Sequence, residues 1–235
     1  MRFSDESDSM PNTFPKKDEA LDAASLKSKQ RSLRDGFPSV LSLRVHRAIS
    51  WLTRAEAEKD DDDLRFILLW IGFNSAYARD IGAEIGAERG LFSEFFDSLV
   101  RFDRTHRIYN AIWERFPHEI RVLLDNKYVF APFWNHQNGY AGFDDWQDRL
   151  TRSKAKINSA LARHDTPAIL SVVFDRLYVL RNQLVHGGAT WNSSVNRAQV
   201  RDGAAVLAWV LPIFIDIMMD NADHDWGTPF YPVVD

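Results

Sequence analysis

The chain contains no cysteine. Disulfide staples, thiol nucleophiles and cysteine-ligated zinc or iron–sulfur centres are therefore excluded, and nothing in the composition points to an oxidising compartment. Sustained alternation of apolar and polar residues is also missing, which argues against half-buried strands, and no internal repeat is evident. The most apolar stretch, Ala204 to Ile215, contains Pro212 and runs into Asp216. It is shorter than the roughly 18 apolar residues a membrane span requires, so it reads as a buried helix and no membrane partner is expected. The histidines, His46, His106, His118, His136, His164, His186 and His224, show no His-Glu-x-x-His or comparable spacing, so neither a metal nor another cofactor is expected. A net charge of -4 over 235 residues gives no overall pull toward polyanions, and any nucleic-acid role needs a local basic surface. Met1 to Asp8 are polar and acidic without an apolar core region. A secretory leader is therefore not expected, a cytoplasmic location is, and the sequon at Asn192-Ser193-Ser194 reads as a helix start.

What is present is helical. Residues 1–37 have too few large apolar side chains at regular spacing to build a core and read as an extension that is flexible or docked only in part. Their basic residues Lys16, Lys17, Lys27, Lys29, Arg31 and Arg34 either help hold an anion or belong to a solvated tail. A helical domain spans 38–220, followed by a tail over 221–235. Its first helix follows Pro38, with Leu41, Val45, Ala48, Leu52 and Ala55 at steps of three and four residues. The acidic run Asp60 to Asp63 suits the positive end of the next helix dipole, a divalent cation being the alternative. That helix, Leu64 to about Ile81, carries Phe66, Ile67, Leu68, Leu69, Trp70, Ile71, Phe73 and Tyr77, apolar on nearly every face and so placed at the centre. Further helices are expected over Leu91 to Phe102, Thr105 to Phe116, Ile120 to Leu124, Asp144 to His164, Pro167 to His186 and Val195 to Asp220, the last starting at Ser193 or Ser194 and bent at Pro212. The outcome is an all-α bundle of about seven helices.

Two stretches admit two readings each. Asn126 to Gly142, with Tyr128, Phe130, Phe133, Trp134 and Tyr140, reads as a long aromatic loop that either tucks onto the core or stacks bases. On the helix that follows, Arg149, Arg152, Lys156 and Arg163 fall within about 60° of one another. They form either a track for an RNA backbone or a solvated face beside Asp145 and Asp148.

Chemistry is concentrated in Arg181-Asn182-Gln183-Leu184-Val185-His186-Gly187-Gly188. A permanently charged guanidinium can meet phosphate charge, and an imidazole can move protons near neutral pH. On an unbroken helix Arg181 and His186 are about 140° apart and about 7.5 Å apart along the axis, whereas Asn182 and His186 share a face. A joint site needs either a helix loosened at the glycines or two copies facing each other across a two-fold axis. His186 falls at a helix C-terminus, whose negative end suits a proton donor. The plain alternative is that His186 only caps the helix and Arg181 pairs with an acid elsewhere.

The run Arg-Asn-Gln-Leu-Val-His-Gly resembles the signature of the HEPN superfamily: Arg, four to six residues beginning with a polar one, then His, matched here by Arg181, Asn182 and His186. The segment Leu-Trp-Ile-Gly-Phe-Asn-Ser-Ala-Tyr within Leu64 to Tyr77 is similar to an earlier core helix of the group, most of all in bacterial Apea-like members. The resemblance implies an all-α HEPN-like fold, a homodimer, RNA as substrate and metal-independent cleavage to a 2′,3′-cyclic phosphate and a 5′-hydroxyl. It assigns His186 to proton transfer or to positioning of the attacking 2′-hydroxyl, Arg181 to transition-state charge and Asn182 to holding the geometry. It also implies a toxin or phage-defence setting with a separate antitoxin protein. Gly188 stands where modification-silenced members carry a tyrosine, which sets this chain apart from that form of regulation. Asn74, a lone amide in an apolar helix, either orients Arg181 from behind or is purely structural. The other class of function is a non-catalytic helical interaction or nucleotide- or RNA-binding module of the same fold.

Overall fold

A computed structural model describes residues 21–78, 88–229 and 231–233, with the side chains of 88–91 left aside. The described residues form ten α-helices and no strand. In chain order these are α1 Ala23–Leu33, α2 Ser39–Ala57, α3 Asp62–Tyr77, α4 Glu88–Phe102, α5 Arg107–Asn110, α6 Pro117–Asp125, α7 Ala131–Gln137, α8 Trp146–Ala162, α9 Thr166–Val185 and α10 Arg197–Asp220. A π-type turn at Ala111–Arg115 and a 3-10 turn at Lys127–Val129 complete the connections. The expectations for Lys16, Lys17, residues 79–81 and the Leu91 side chain fall outside the described residues.

Aromatic packing fixes the centre. The Phe73 ring lies 4.4 Å from Phe174 and Trp70 lies 6.1 Å from Tyr178, so α3 and α9 run antiparallel. Phe96 of α4 closes on Phe174 at 4.8 Å, and Phe214 of α10 lies 6.0 Å from Phe174. Each such ring removes roughly 150–250 Å² from water, and tilted or edge-on pairs add to that burial. Helix α10 is long and apolar enough to cross a membrane by length and composition. Here Leu207, Val210, Leu211 and Phe214 are wholly buried against protein, and the helix continues through Pro212.

The helix count exceeds seven because α1 and α7 lack a readable apolar period. Helix α1 buries only Ala23, Leu26 and Gln30 and is held by polar contacts. Asp22 and Ser25 form its capping box, Ala23 N–H donates to Glu56 (2.8 Å), and Lys29 Nζ reaches Asp216 and Asp220, each at 2.6 Å. The second oxygen of Asp216 takes Arg107 at 2.8 Å. The docked helix replaces the flexible extension expected over 23–33. Helix α7 replaces most of the expected aromatic loop: Pro132 opens it, and Gly139 with φ +74° follows it. The expected tail likewise packs inward, with Trp226 buried 5.9 Å from Phe95 and the Gly227 carbonyl accepting from Arg44 Nε at 2.9 Å. Helix α10 begins at Arg197, later than the expected start at about Val195, and the residue before it is Asn196 rather than the expected cap Ser193 or Ser194. Helix α8 has Asp145 rather than Asp144 as its flanking cap residue, without a side-chain bond.

Where α10 crosses α3 and α9, the backbone at Gly203 approaches closely enough that a side chain there forces its neighbours to shift. A Cβ there meets Leu177 Cδ2 at 2.9 Å and Phe66 Cε2 at 3.1 Å, and both neighbours are fully buried. Gly203→Val is expected to lower unfolding stability by about 1–3 kcal/mol through overpacking, despite the gain in helix propensity. A urea midpoint equal to wild type contradicts this packing.

Candidate functional site

The sequence motif occupies the last turn of α9 and its exit. Gly188 N–H donates to the Gln183 carbonyl (2.7 Å) and Gly187 N–H to the Leu184 carbonyl (3.3 Å), the paired bonds of a Schellman stop. Gly187 has φ +70°, a conformation costly for any residue with a Cβ. The glycines therefore end the helix cleanly; they do not loosen the turn between Arg181 and His186. Of the two arrangements considered for a joint site, the loosened helix is not the one adopted.

Counting around regular α9 from Arg181, Val185 lies at about 40°, Asn182 at about 100° and His186 at about 140°. Val185 is 51% exposed, His186 is exposed, and Arg181 and Asn182 are half-buried. The two chemical groups thus bound an arc of the helix end on which Val185 and His186 are exposed and Asn182 is half-buried. Arg181 Nη1 donates to Asn182 Oδ1 at 2.8 Å, and its guanidinium lies 5.9 Å from the Tyr178 ring. It makes no ion pair with a described residue, so no acid partner of the plain alternative is found among the described residues. The His186 side chain makes no hydrogen bond to a described residue; only its backbone N–H takes part in the stop, donating to Asn182 (3.0 Å).

The other candidates separate. Asn74 sits one residue beyond Phe73, level with Phe174, hence about seven residues or 10 Å along the axis from Arg181. It is half-buried and no hydrogen bond joins it to Arg181, so the geometry does not make it an orienting group. Helices α8 and α9 form an antiparallel hairpin joined by Arg176 to Ser153 (3.2 Å). Arg149 and Arg152 therefore lie toward the motif end, whereas Arg163 is about 15 Å down α8 from Ser153. Arg149 and Arg152 share Asp145, at 2.7 and 3.2 Å, and Arg163 bonds Ser159 (2.6 Å). Lys156 is exposed. The four cations are thus a row on one helix, in which Arg149 and Arg152 share the single charge of Asp145 and Arg163 lies 3.7 Å from Asp165.

Two supports for the motif are not legible in the sequence. Gln183 Nε2 donates to the Tyr128 carbonyl (2.6 Å), which also accepts from Trp134 Nε1 (2.7 Å). The loop after the motif is fastened to the start of α3: Trp191 Nε1 donates to Asp61 Oδ2 (2.8 Å) and Asn192 N–H to Asp63 Oδ2 (2.6 Å). Arg197 completes this as a fork on Asp63, at 2.7 and 3.2 Å, and that hydrogen bond holds its guanidinium still more firmly charged. The acidic run predicted as caps does cap α3 through Asp61, which accepts from Leu64 N–H (2.9 Å), but it also anchors this loop. Among the described residues no group of three or more His, Asp or Glu side chains is arranged to hold a metal ion. No protein-family model, curated protein or solved structure matches the chain.

Burial alone raises the Asp61 carboxyl, yet the bonds from Leu64 and Trp191 outweigh it and hold the group below its ordinary value of 3.8. A depressed carboxylate contributes stability above its unfolded value and loses that contribution as pH falls through the folded one. Asp61→Asn is therefore expected to be less stable than wild type at neutral pH, with the gap closing below 3.8. Urea unfolding at both pH values checks this; a gap that is constant or widens in acid contradicts the assigned role.

Proposed function

We propose that the chain is a HEPN-type endoribonuclease that cleaves RNA without a metal, by attack of a ribose 2′-hydroxyl on the adjacent phosphorus. The observation that carries the reading is the state of Arg181: a half-buried guanidinium on the last part of α9, tied to a neighbouring amide and paired with no carboxylate among the described residues. Such a cation on the same helix end as an exposed imidazole suits a substrate that brings its own negative charge.

The bond that forms joins O2′ to phosphorus and the one that breaks joins phosphorus to O5′. The proton leaves O2′ for a base, and O5′ takes up a proton as it departs, giving a 2′,3′-cyclic phosphate and a 5′-hydroxyl. His186 serves this proton traffic, Arg181 meets the charge that builds on the phosphoryl oxygens, and Asn182 fixes the guanidinium through its Oδ1. Because about 140° of helix separates Arg181 from His186, one copy alone does not aim both at one phosphorus. A homodimer with the two open arcs facing each other brings two arginines and two histidines into one cleft. An intracellular toxin or phage-defence component held in check by an antitoxin protein is the biological setting this activity fits.

Purified wild type incubated with total RNA in EDTA is expected to cleave it. Arg181→Ala and His186→Ala should each lower the rate by about a hundredfold or more, with Asn182→Ala falling between them and wild type. RNA bound tightly and left intact would show instead a binding module of the same fold. Cleavage that survives both substitutions sinks the assignment.

A further inference from the structure

Of the aromatics between Asn126 and Gly142, Phe130 and Phe133 are buried in the protein, whereas Tyr128 is 53% and Tyr140 61% exposed, and of these two Tyr128 is the one bonded to the motif. Its place is fixed by the motif itself. The Tyr128 carbonyl is the acceptor for Gln183 Nε2 and for Trp134 Nε1, and Asn126 Oδ1 accepts from its N–H at 2.8 Å. These bonds fix the Tyr128 backbone against Gln183 of α9, a residue that follows His186 by about 60° in the order around the helix.

The ring is also oriented. Phe133 meets it edge-on at 5.5 Å, and Lys127 Nζ sits 5.1 Å from its centroid. Phe133 in turn packs on Trp146 at 5.0 Å, which ties the turn to the start of α8, where Arg149 stands. An exposed aromatic ring with a cation beside it is what single-stranded RNA uses: the base stacks on the ring and a phosphate meets the cation. Trp191, although 74% exposed, is bonded to Asp61 within the Asp60 to Asp63 run, and those carboxylates repel a phosphodiester chain. Charge thus selects Tyr128 over Trp191.

We propose that Tyr128 is a positioning residue of the site, stacking the nucleobase next to the scissile phosphodiester, with Lys127 on the adjoining phosphate. This rests on the RNA-cleaving reading of Arg181 and His186. It makes the substrate class single-stranded RNA, because a base paired within a duplex cannot reach the ring.

The test separates the two claims by using two probes. A short fluorescein-labelled single-stranded oligoribonucleotide reports cleavage, and its fully 2′-O-methylated counterpart, which has no free 2′-hydroxyl to attack, reports binding. Tyr128→Ala is expected to raise KM and the Kd for the methylated strand by about tenfold or more. Its kcat should stay within about twofold of wild type and its unfolding midpoint unchanged, Tyr128→Phe should restore both constants, and a duplex probe should bind more weakly than the single strand. Tyr128-dependent binding of the methylated strand without any cleavage of the unmodified one keeps the stacking assignment and removes the nuclease. Cleavage with KM unchanged in Tyr128→Ala keeps the nuclease and removes the stacking assignment. Loss of self-association in Tyr128→Ala, with RNA affinity unchanged, also overturns it, since the ring is then covered by a second copy.

Discussion

Asp63 is the joint on which the candidate site depends. It is a buried carboxylate, 8% exposed, and such a group is tolerated only when its oxygens are satisfied. Three donors do so: both Nη atoms of Arg197 and the N–H of Asn192. Asn192 lies in the loop between α9 and α10, Arg197 is the first residue of α10, and Asp63 itself belongs to α3. The pair therefore sets how the chain leaves the motif, where α10 begins and how α3 stands against both. Removing either charge leaves the other partly buried without its counterpart, a costlier change than the loss of an exposed surface pair.

Around that joint, the fold uses helix α9 in two ways. Its first turns are core: Leu170, Val173, Phe174 and Leu177 are wholly buried among the rings of α3, α4 and α10. From Arg181 onward its residues are half-buried or exposed, and the residues that carry chemistry lie on that part. The Schellman stop keeps those turns regular to the end, so the angular spacing of Arg181, Asn182 and His186 is a property of the helix. A site built on a rigid element holds its geometry more closely than one on a loop. The same regularity keeps Arg181 and His186 about 140° apart, which is the ground for the two-fold arrangement proposed.

The sequence made the all-α class, the central α3 and the glycine stop of α9 legible, because each has a strong local signal: Phe66, Trp70 and Phe73 at helical spacing, and Gly187-Gly188 after an apolar period. Helix α1 was hidden because its attachment is ionic and remote. Lys29 meets Asp216 across a separation of 187 residues, and no periodicity encodes that. Helix α7 was hidden because its 7 residues are too short to display a stripe. At the site, the motif residues could be named from the sequence, whereas their supports could not: Gln183 to Tyr128 and Trp191 to Asp61 are pairings made by tertiary structure. Asn74 looked like a partner for Arg181 because both lie on core helices, but the antiparallel register of α3 and α9 carries them to different levels.

The account turns on a ribose hydroxyl as the attacking group. The most direct measurement is mass analysis of the termini formed from an otherwise deoxyribose strand carrying one ribonucleotide, incubated with the wild-type protein in EDTA. The account predicts a single cut, immediately 3′ of the ribose, with a 2′,3′-cyclic phosphate on one fragment and a 5′-hydroxyl on the other. An intact strand while Arg181-dependent binding persists, or cuts between deoxyribonucleotides, would contradict it.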